Sequence, residues 1–198
     1  MRRTKSEISH GSPQRRFTDM NHDHNRRVWC GCQTPIGRLT LTATDTGLDG
    51  LFFPGRAPEL DEADHRPERF ARAVEQIDEY FAGTRNHFEL ELDLSRGTAF
   101  QQSVWGQLRR ISYGETISYS ELAARLGRTD RVRAVGAAVG RTPVPIIVPC
   151  HRVLAADGSL TGYLGGLQRK RCLLDLEAAV SQARQLPASF GPRQLALI

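Results

Sequence analysis

Three adjacent residues in the stretch PIIVPCHRVL (145–154) have the types needed for nucleophilic chemistry: Cys150, His151 and Arg152. A free thiol titrates near ~8.5, so about a few per cent of it is thiolate at neutral pH. An imidazole is suited to taking the proton, and a guanidinium adds a positive field. Two readings are open here. Cys150 is either a nucleophile primed by its neighbour or a small buried residue at the end of an apolar run. Successive residues of an extended strand face opposite ways, so Cys150 and His151 meet only through a kink or a bridging water. Pro143, Pro145 and Pro149 forbid helix and predict an extended, stiff backbone around them.

The elements that must hold this stretch fall into two groups. Residues 28–96 alternate as short strands do. In GRLTLTAT, Leu39, Leu41 and Ala43 share a face, and GLDGLFF follows after a turn, which predicts an antiparallel hairpin. Phe70, Val74, Ile77 and Phe81 recur at helical spacing up to Gly83, and HFELELDL reads as a further strand. Residues 97–180 read as mainly helical. Thr98 with Gln101 and Ser118 with Glu121 are capping boxes, and Asp130 is placed to cap the segment RVRAVGAAVG. Two short helices across the turn RTD predict a helix-turn-helix. The second helix is rich in small residues, among them Ala134, Gly136, Ala137, Ala138 and Gly140. Either another helix packs tightly on it or a nucleic-acid backbone approaches it.

Composition bounds the function. The chain has 198 residues, with 39% hydrophobic and 25% charged, as in an ordinary globular protein. No apolar run approaches the roughly 20 residues that cross a bilayer, and no secretory h-region follows the basic start. Four cysteines fit a reducing cytoplasm better than a disulfide scaffold. The net charge of +5 is uneven: +4 over residues 1–27, −6 over 28–96 and +5 over 97–180. Either the last segment attracts nucleic acid and the middle one repels it, or the charges only solvate a surface. Residues 1–27 read as a disordered basic arm, and 181–198 as a tail.

The motifs PIIVPCHRV, SYSELA, RAVGAAV and GYLGGLQRKRCLLDLE together closely resemble the O6-alkylguanine-DNA alkyltransferases, or methylated-DNA–protein-cysteine methyltransferases, over roughly residues 33–178. The resemblance implies an α+β fold. A small amino-terminal lobe is a ribonuclease-H-like antiparallel sheet with a helix. A mainly helical carboxy-terminal lobe carries a winged helix-turn-helix. It further implies DNA repair by single-turnover, irreversible transfer of an alkyl group from O6-alkylguanine, and O4-alkylthymine too, in duplex DNA to Cys150. His151 would take the thiol proton through a water and Glu177 would orient the imidazole. Tyr119 would donate to the flipped base and contact its phosphate, with Lys170 near the pocket. Arg133 would fill the gap in the stack, and Ala134, Ala137, Arg141 and Thr142 would face DNA through the minor groove. Pro145, Val153, Tyr163 and Leu164 would line the pocket, the carbonyls of Cys150 and Val153 accepting from the guanine amino group. No cofactor, no metal and no membrane are implied; the protein would be a monomer in solution, with cooperative loading on DNA left open.

Two positions depart from the family. Thr142 stands where asparagine is usual, which predicts weakened geometry without loss of chemistry. Leu164 stands where some members have serine. Cys30 and Cys32 could join His22, His24 or His87 at a metal, but the family's zinc ligands have no match here. Cys172 reads as a core residue, and Trp29 and Trp105 as core or lobe interface. The main competing readings are a protein that binds alkylated guanine without reacting and flags it, and a helix-turn-helix transcription factor. A thiol protease or redox enzyme is remoter, since no C-x-x-C is present.

Overall fold

The computed structural model describes residues 27–185. The alternating segments form an antiparallel sheet in the order β1 (Val28–Cys32), β2 (Leu39–Ala43), β3 (Leu48–Phe52). Leu41 pairs with both Cys30 and Leu51. The polar half of the alternation is partly absorbed into the interior, because buried Thr42 donates its hydroxyl to Asp49 Oδ1 at 2.6 Å. Helix α1 (Ala71–Phe81) lays Ile77 and Tyr80, both fully buried, into the same core. Its chain reverses at Gly83, whose φ of +73° suits glycine. HFELELDL does not form a full strand. Leu92 makes one isolated bridge to Leu48, supported by Leu48 N to Glu91 O at 2.9 Å and Asp93 N to Leu48 O at 2.8 Å. Alternation set the pattern, but only one residue reaches pairing distance.

Both capping boxes form, at Thr98 before α2 (Ala99–Leu108) and at Ser118 before α3 (Tyr119–Arg125). A two-residue strand, β4 (Ile117–Ser118), precedes α3. Helix α4 (Val132–Val139) starts without the cap expected from Asp130. A 3-10 turn over Thr129–Arg131 intervenes, and the carboxylate lies 3.6 Å from Arg131. The buried side of α4 sets Val135, Ala138 and Val139 into a second core with α2 and α3, and Trp105 Nε1 donates to Ala138 O at 2.9 Å. Strand β5 (Val153–Leu154) pairs in parallel with β4, and a tight turn over Ala155–Ser159 follows. The last helix among the described residues is α5 (Leu167–Gln185). Among the described residues no helix is long and apolar enough to cross a membrane.

The proline-rich segment joins the two cores. Val144, Ile146 and Ile147 belong to the first, Val148 and Cys150 to the second. Its backbone is not extended. Val148 N bonds to Val144 O at 2.9 Å, and Ile146 sits at φ +76°, an outlier for a β-branched side chain. Cys150–Arg152 then form a 3-10 turn. Proline excludes α-helix, as expected, but it leaves tight turns open.

Candidate active site

Cys150 and His151 lie in one 3-10 turn and not on the extended strand that would face them opposite ways. Cys150, His151 and Arg152 are all buried, and the turn aims the last two at Glu177 of α5. His151 Nε2 lies 2.8 Å from Glu177 Oε1. Arg152 donates Nε to Oε2 and Nη2 to Oε1, both at 2.9 Å, and Nη1 to Ile111 O at 2.6 Å. Tyr80 donates its hydroxyl to Oε1 at 2.8 Å, and the Gly114 N–H donates to Oε2 at 3.1 Å. Burial alone would raise the Glu177 pKa, but the hydrogen bonds of His151 and Arg152, with the Arg152 charge, hold it at about 2. Glu177 is therefore a permanent carboxylate that only accepts.

That fixes the imidazole. Nε2 carries the proton and donates to Glu177, which leaves Nδ1 as the acceptor. Nδ1 is buried with no hydrogen-bond partner among the described residues. Burial lowers the His151 pKa against the pull of Glu177, so the ring is neutral at pH 7 and able to accept. Cys150 is 3% exposed, and burial pushes its thiol up to about 12, opposed by a hydrogen bond with Thr142 and by the field of Lys170. The resting sulfur is a thiol that needs a base.

The remaining expected residues surround this centre. Lys170 is fully buried and donates Nζ to Val153 O at 2.6 Å and Thr161 O at 2.9 Å, and burial lowers its pKa. The Val153 carbonyl expected to receive a guanine amino group thus already accepts from Lys170, and the Cys150 carbonyl accepts from Val153 N. Each keeps a second lone pair. Tyr119 is half-buried at the start of α3. Burial raises its phenol pKa, opposed by a hydrogen bond with Thr161. Tyr163 sets its ring edge-on to Phe53 at 5.5 Å, and its buried hydroxyl has no partner among the described residues. Pro145 is buried in the turn before Cys150, and Leu164 is 37% exposed. Arg133, Ala134 and Ala137 are exposed on one side of α4 and Arg141 is exposed just beyond its end, whereas Thr142 is buried and donates to Val139 O at 2.8 Å. Gly136 faces the Tyr119 ring, where an added methyl would meet carbon at 3.7 Å, an ordinary contact.

Sequence reasoning placed Arg152 beside the sulfur, but it grips the carboxylate instead. It missed Tyr80 and Gly114 entirely. A tyrosine on an amphipathic helix reads as core, and a backbone N–H leaves no mark in a sequence. Cys30 and Cys32 are buried, with thiol pKa values pushed up to about 12 and about 11, chiefly by burial. No group of three or more metal-ligating side chains occurs among the described residues, and His22 and His24 lie outside them. Cys172, expected in the core, is exposed on α5. Trp105 is buried between α2 and α4, and Trp29 is half-buried, donating Nε1 to Asp61 O at 2.8 Å.

A buried thiol and a carboxylate-held imidazole in one 3-10 turn, on a lobe with two short helices across a tight turn, fit a protein that does thiol chemistry at a nucleic acid. The known proteins agree. Residues 29–94 match the ribonuclease-like domain of 6-O-methylguanine DNA methyltransferase, and residues 99–179 match its DNA-binding domain. A methylated-DNA–protein-cysteine methyltransferase of Mycolicibacterium paratuberculosis is 49% identical over 152 residues, covering 76% of this chain and 92% of that one. A solved structure of Mycobacterium tuberculosis OGT in complex with DNA is 46% identical, with a TM-score of 0.69 and coverage of 77% and 93%. The corresponding archaeal protein of Pyrococcus kodakaraensis is 26% identical, with a TM-score of 0.59 and coverage of 77% and 99%. The chain belongs to the 6-O-methylguanine DNA methyltransferase family.

Proposed function

We propose that this protein repairs DNA by moving the alkyl group of O6-alkylguanine in duplex DNA onto Cys150. The observation that carries this reading is the orphaned Nδ1 of His151, the lone acceptor left on a ring whose other nitrogen is committed to Glu177. The thiol gives its proton to Nδ1 through a water, and the sulfur attacks the alkyl carbon. A C–S bond forms, the C–O6 bond breaks, and its electron pair passes to the guanine, which takes up a proton. A base reacts only outside the stack, and flipping costs about a few kcal/mol. Arg133 takes the vacated place, while Ala134, Ala137, Arg141 and Thr142 form and back the surface that meets the minor groove. Tyr119, released from Thr161, stabilises charge on the leaving base. Val153, Tyr163, Leu164 and Pro145 shape the pocket, and Lys170 braces it. A thioether has no ready leaving group, so each molecule acts once. O4-alkylthymine belongs to the same chemistry. Four free cysteines support a reducing cytoplasm as its location, and it works as a monomer in solution.

Intact mass spectrometry after mixing with an O6-methylguanine duplex tests this. The protein gains one methyl, and Cys150→Ala gains none. A protein that binds the lesion duplex but keeps its mass is the non-reacting alternative, and this outcome would replace the proposal.

A further inference from the structure

The exposed basic groups are not confined to the helix-turn-helix. Two cavities of about 510 and 410 Å³ run along the seam between the lobes and share Phe52, Arg56, Arg141 and Pro143 as lining. The seam is fixed, because Leu51 N of β3 donates to Pro143 O at 2.9 Å just beyond α4. Arg56 N closes on Phe53 O at 3.0 Å, and Arg141 N on Ala138 O at 3.1 Å. Each backbone is thus held in a local turn, one in each lobe.

Charge in the larger cavity singles out the same pair. Asp49 is held by Arg27 at 2.5 Å and by Thr42 at 2.6 Å. Asp93 accepts from Thr44 at 2.7 Å and from Ser95 at 2.5 Å, and the Ser95 and Thr44 bonds hold its carboxyl well below the usual range. Arg96 has a partner of its own. Arg56 and Arg141 are exposed, and neither pairs with a carboxylate among the described residues. Two unneutralised guanidinium forks facing one cleft match the oxygens of a phosphate group.

We infer that Arg56 and Arg141 together hold one backbone phosphodiester of the duplex, so that the amino-terminal lobe shares in gripping DNA. The inference rests on the duplex reading above. A strand that meets the exposed side of α4 passes its carboxy-terminal end, where Arg141 and the cleft lie. Arg56 is thereby a local positive point in a segment, residues 28–96, whose net charge is −6 with Arg56 included.

The test is duplex binding between about 50 and 200 mM salt, where log K falls with log salt by about 0.9 per neutralised phosphate. The proteins compared are wild type, Arg56→Ala, Arg141→Ala, the double variant and, as control, Arg72→Ala on α1. One shared phosphate predicts that the double variant loses about 0.9 of slope, and no more. It also predicts that its affinity loss is smaller than the two single losses combined, and that Arg72→Ala changes neither. Arg56→Ala should react with free O6-benzylguanine at the wild-type rate. An unchanged slope and affinity in Arg56→Ala overturns the inference, as does full additivity or an equal slowing of the free-base reaction. Loss of inorganic phosphate binding with duplex binding intact marks a free-anion site and overturns it as well. Failure of the wild type to take up any methyl is a separate result and bears on the proposed function instead.

Discussion

At the scale of the residue, the site turns on Glu177, which accepts five hydrogen bonds from four residues. Replacing it by glutamine leaves Arg152 buried without a counter-charge, which costs about 3–5 kcal/mol. The imidazole also loses its fixed tautomer, and transfer should slow by roughly 10²–10⁴-fold. Urea melts and single-turnover rates with free O6-benzylguanine, measured where the variant is folded, separate the two effects. Tyr80→Phe removes one bond to a charged acceptor, worth about 1.5–3 kcal/mol, and leaves the His151 contact in place. It should lower the melt while slowing transfer less than tenfold. Both His151 and Glu177 titrate lower in the folded chain than their ordinary values of 6.5 and 4.5. The unfolded chain therefore binds more protons as pH falls. Stability from His151 is complete above about 6.5 and shrinks below it. That from Glu177 is complete above 4.5 and is lost as pH falls towards about 2. Urea midpoints measured down the pH scale should fall in that order, and a midpoint that rises on acidification contradicts the assignment. Cys150 and His151 were legible in the sequence as residue types suited to a nucleophile and a base. The true partner of Arg152 was not, because partners 25 residues apart are set by packing and not by spacing.

At the scale of the element, α4 does two jobs with two sides. Val135, Ala138 and Val139 pack inward, while Arg133, Ala134 and Ala137 stay exposed. Arg133→Ala should slow repair of a lesion in duplex DNA far more than reaction with free O6-benzylguanine, and equal slowing removes Arg133 from base flipping. Thr142 links α4 to the cysteine, bonding Val139 O at 2.8 Å and meeting the Cys150 thiol. Thr142→Val keeps the shape and the backbone bond from residue 142 N to Val139 O at 3.2 Å but removes the hydroxyl's bond, at a cost of about 0.5–1.5 kcal/mol read from the urea midpoint. The helices were legible because capping boxes are local: Thr98 with Gln101 and Ser118 with Glu121 mark their own ends. The turn at Ile146 was not, because nothing about isoleucine announces a φ of +76°. It goes with the Val148 N to Val144 O bond and with the packing of Val144, Ile146 and Ile147 into the first core and Val148 into the second.

At the scale of the whole molecule, the active-site segment is the seam. The chain from Val144 to Cys150 passes from one core into the other, and Glu177 is reached from both sides, by Tyr80 of α1 and by His151. The lobe without Cys150 thus helps to hold the carboxylate that His151 bonds. The two groups of elements were visible as a change of period from strand to helix, and the positive charge of 97–180 pointed to nucleic acid. Their mutual contact was not visible, since no sequence pattern records which surfaces meet. The most direct measurement of the central claim locates the transferred group among the four cysteines. After reaction with an O6-methylguanine duplex, digestion and fragment-ion mass spectrometry should find methyl on Cys150, with Cys30, Cys32 and Cys172 unmodified. Methyl on exposed Cys172, or on none of the four, would contradict a buried thiol activated by His151 and Glu177.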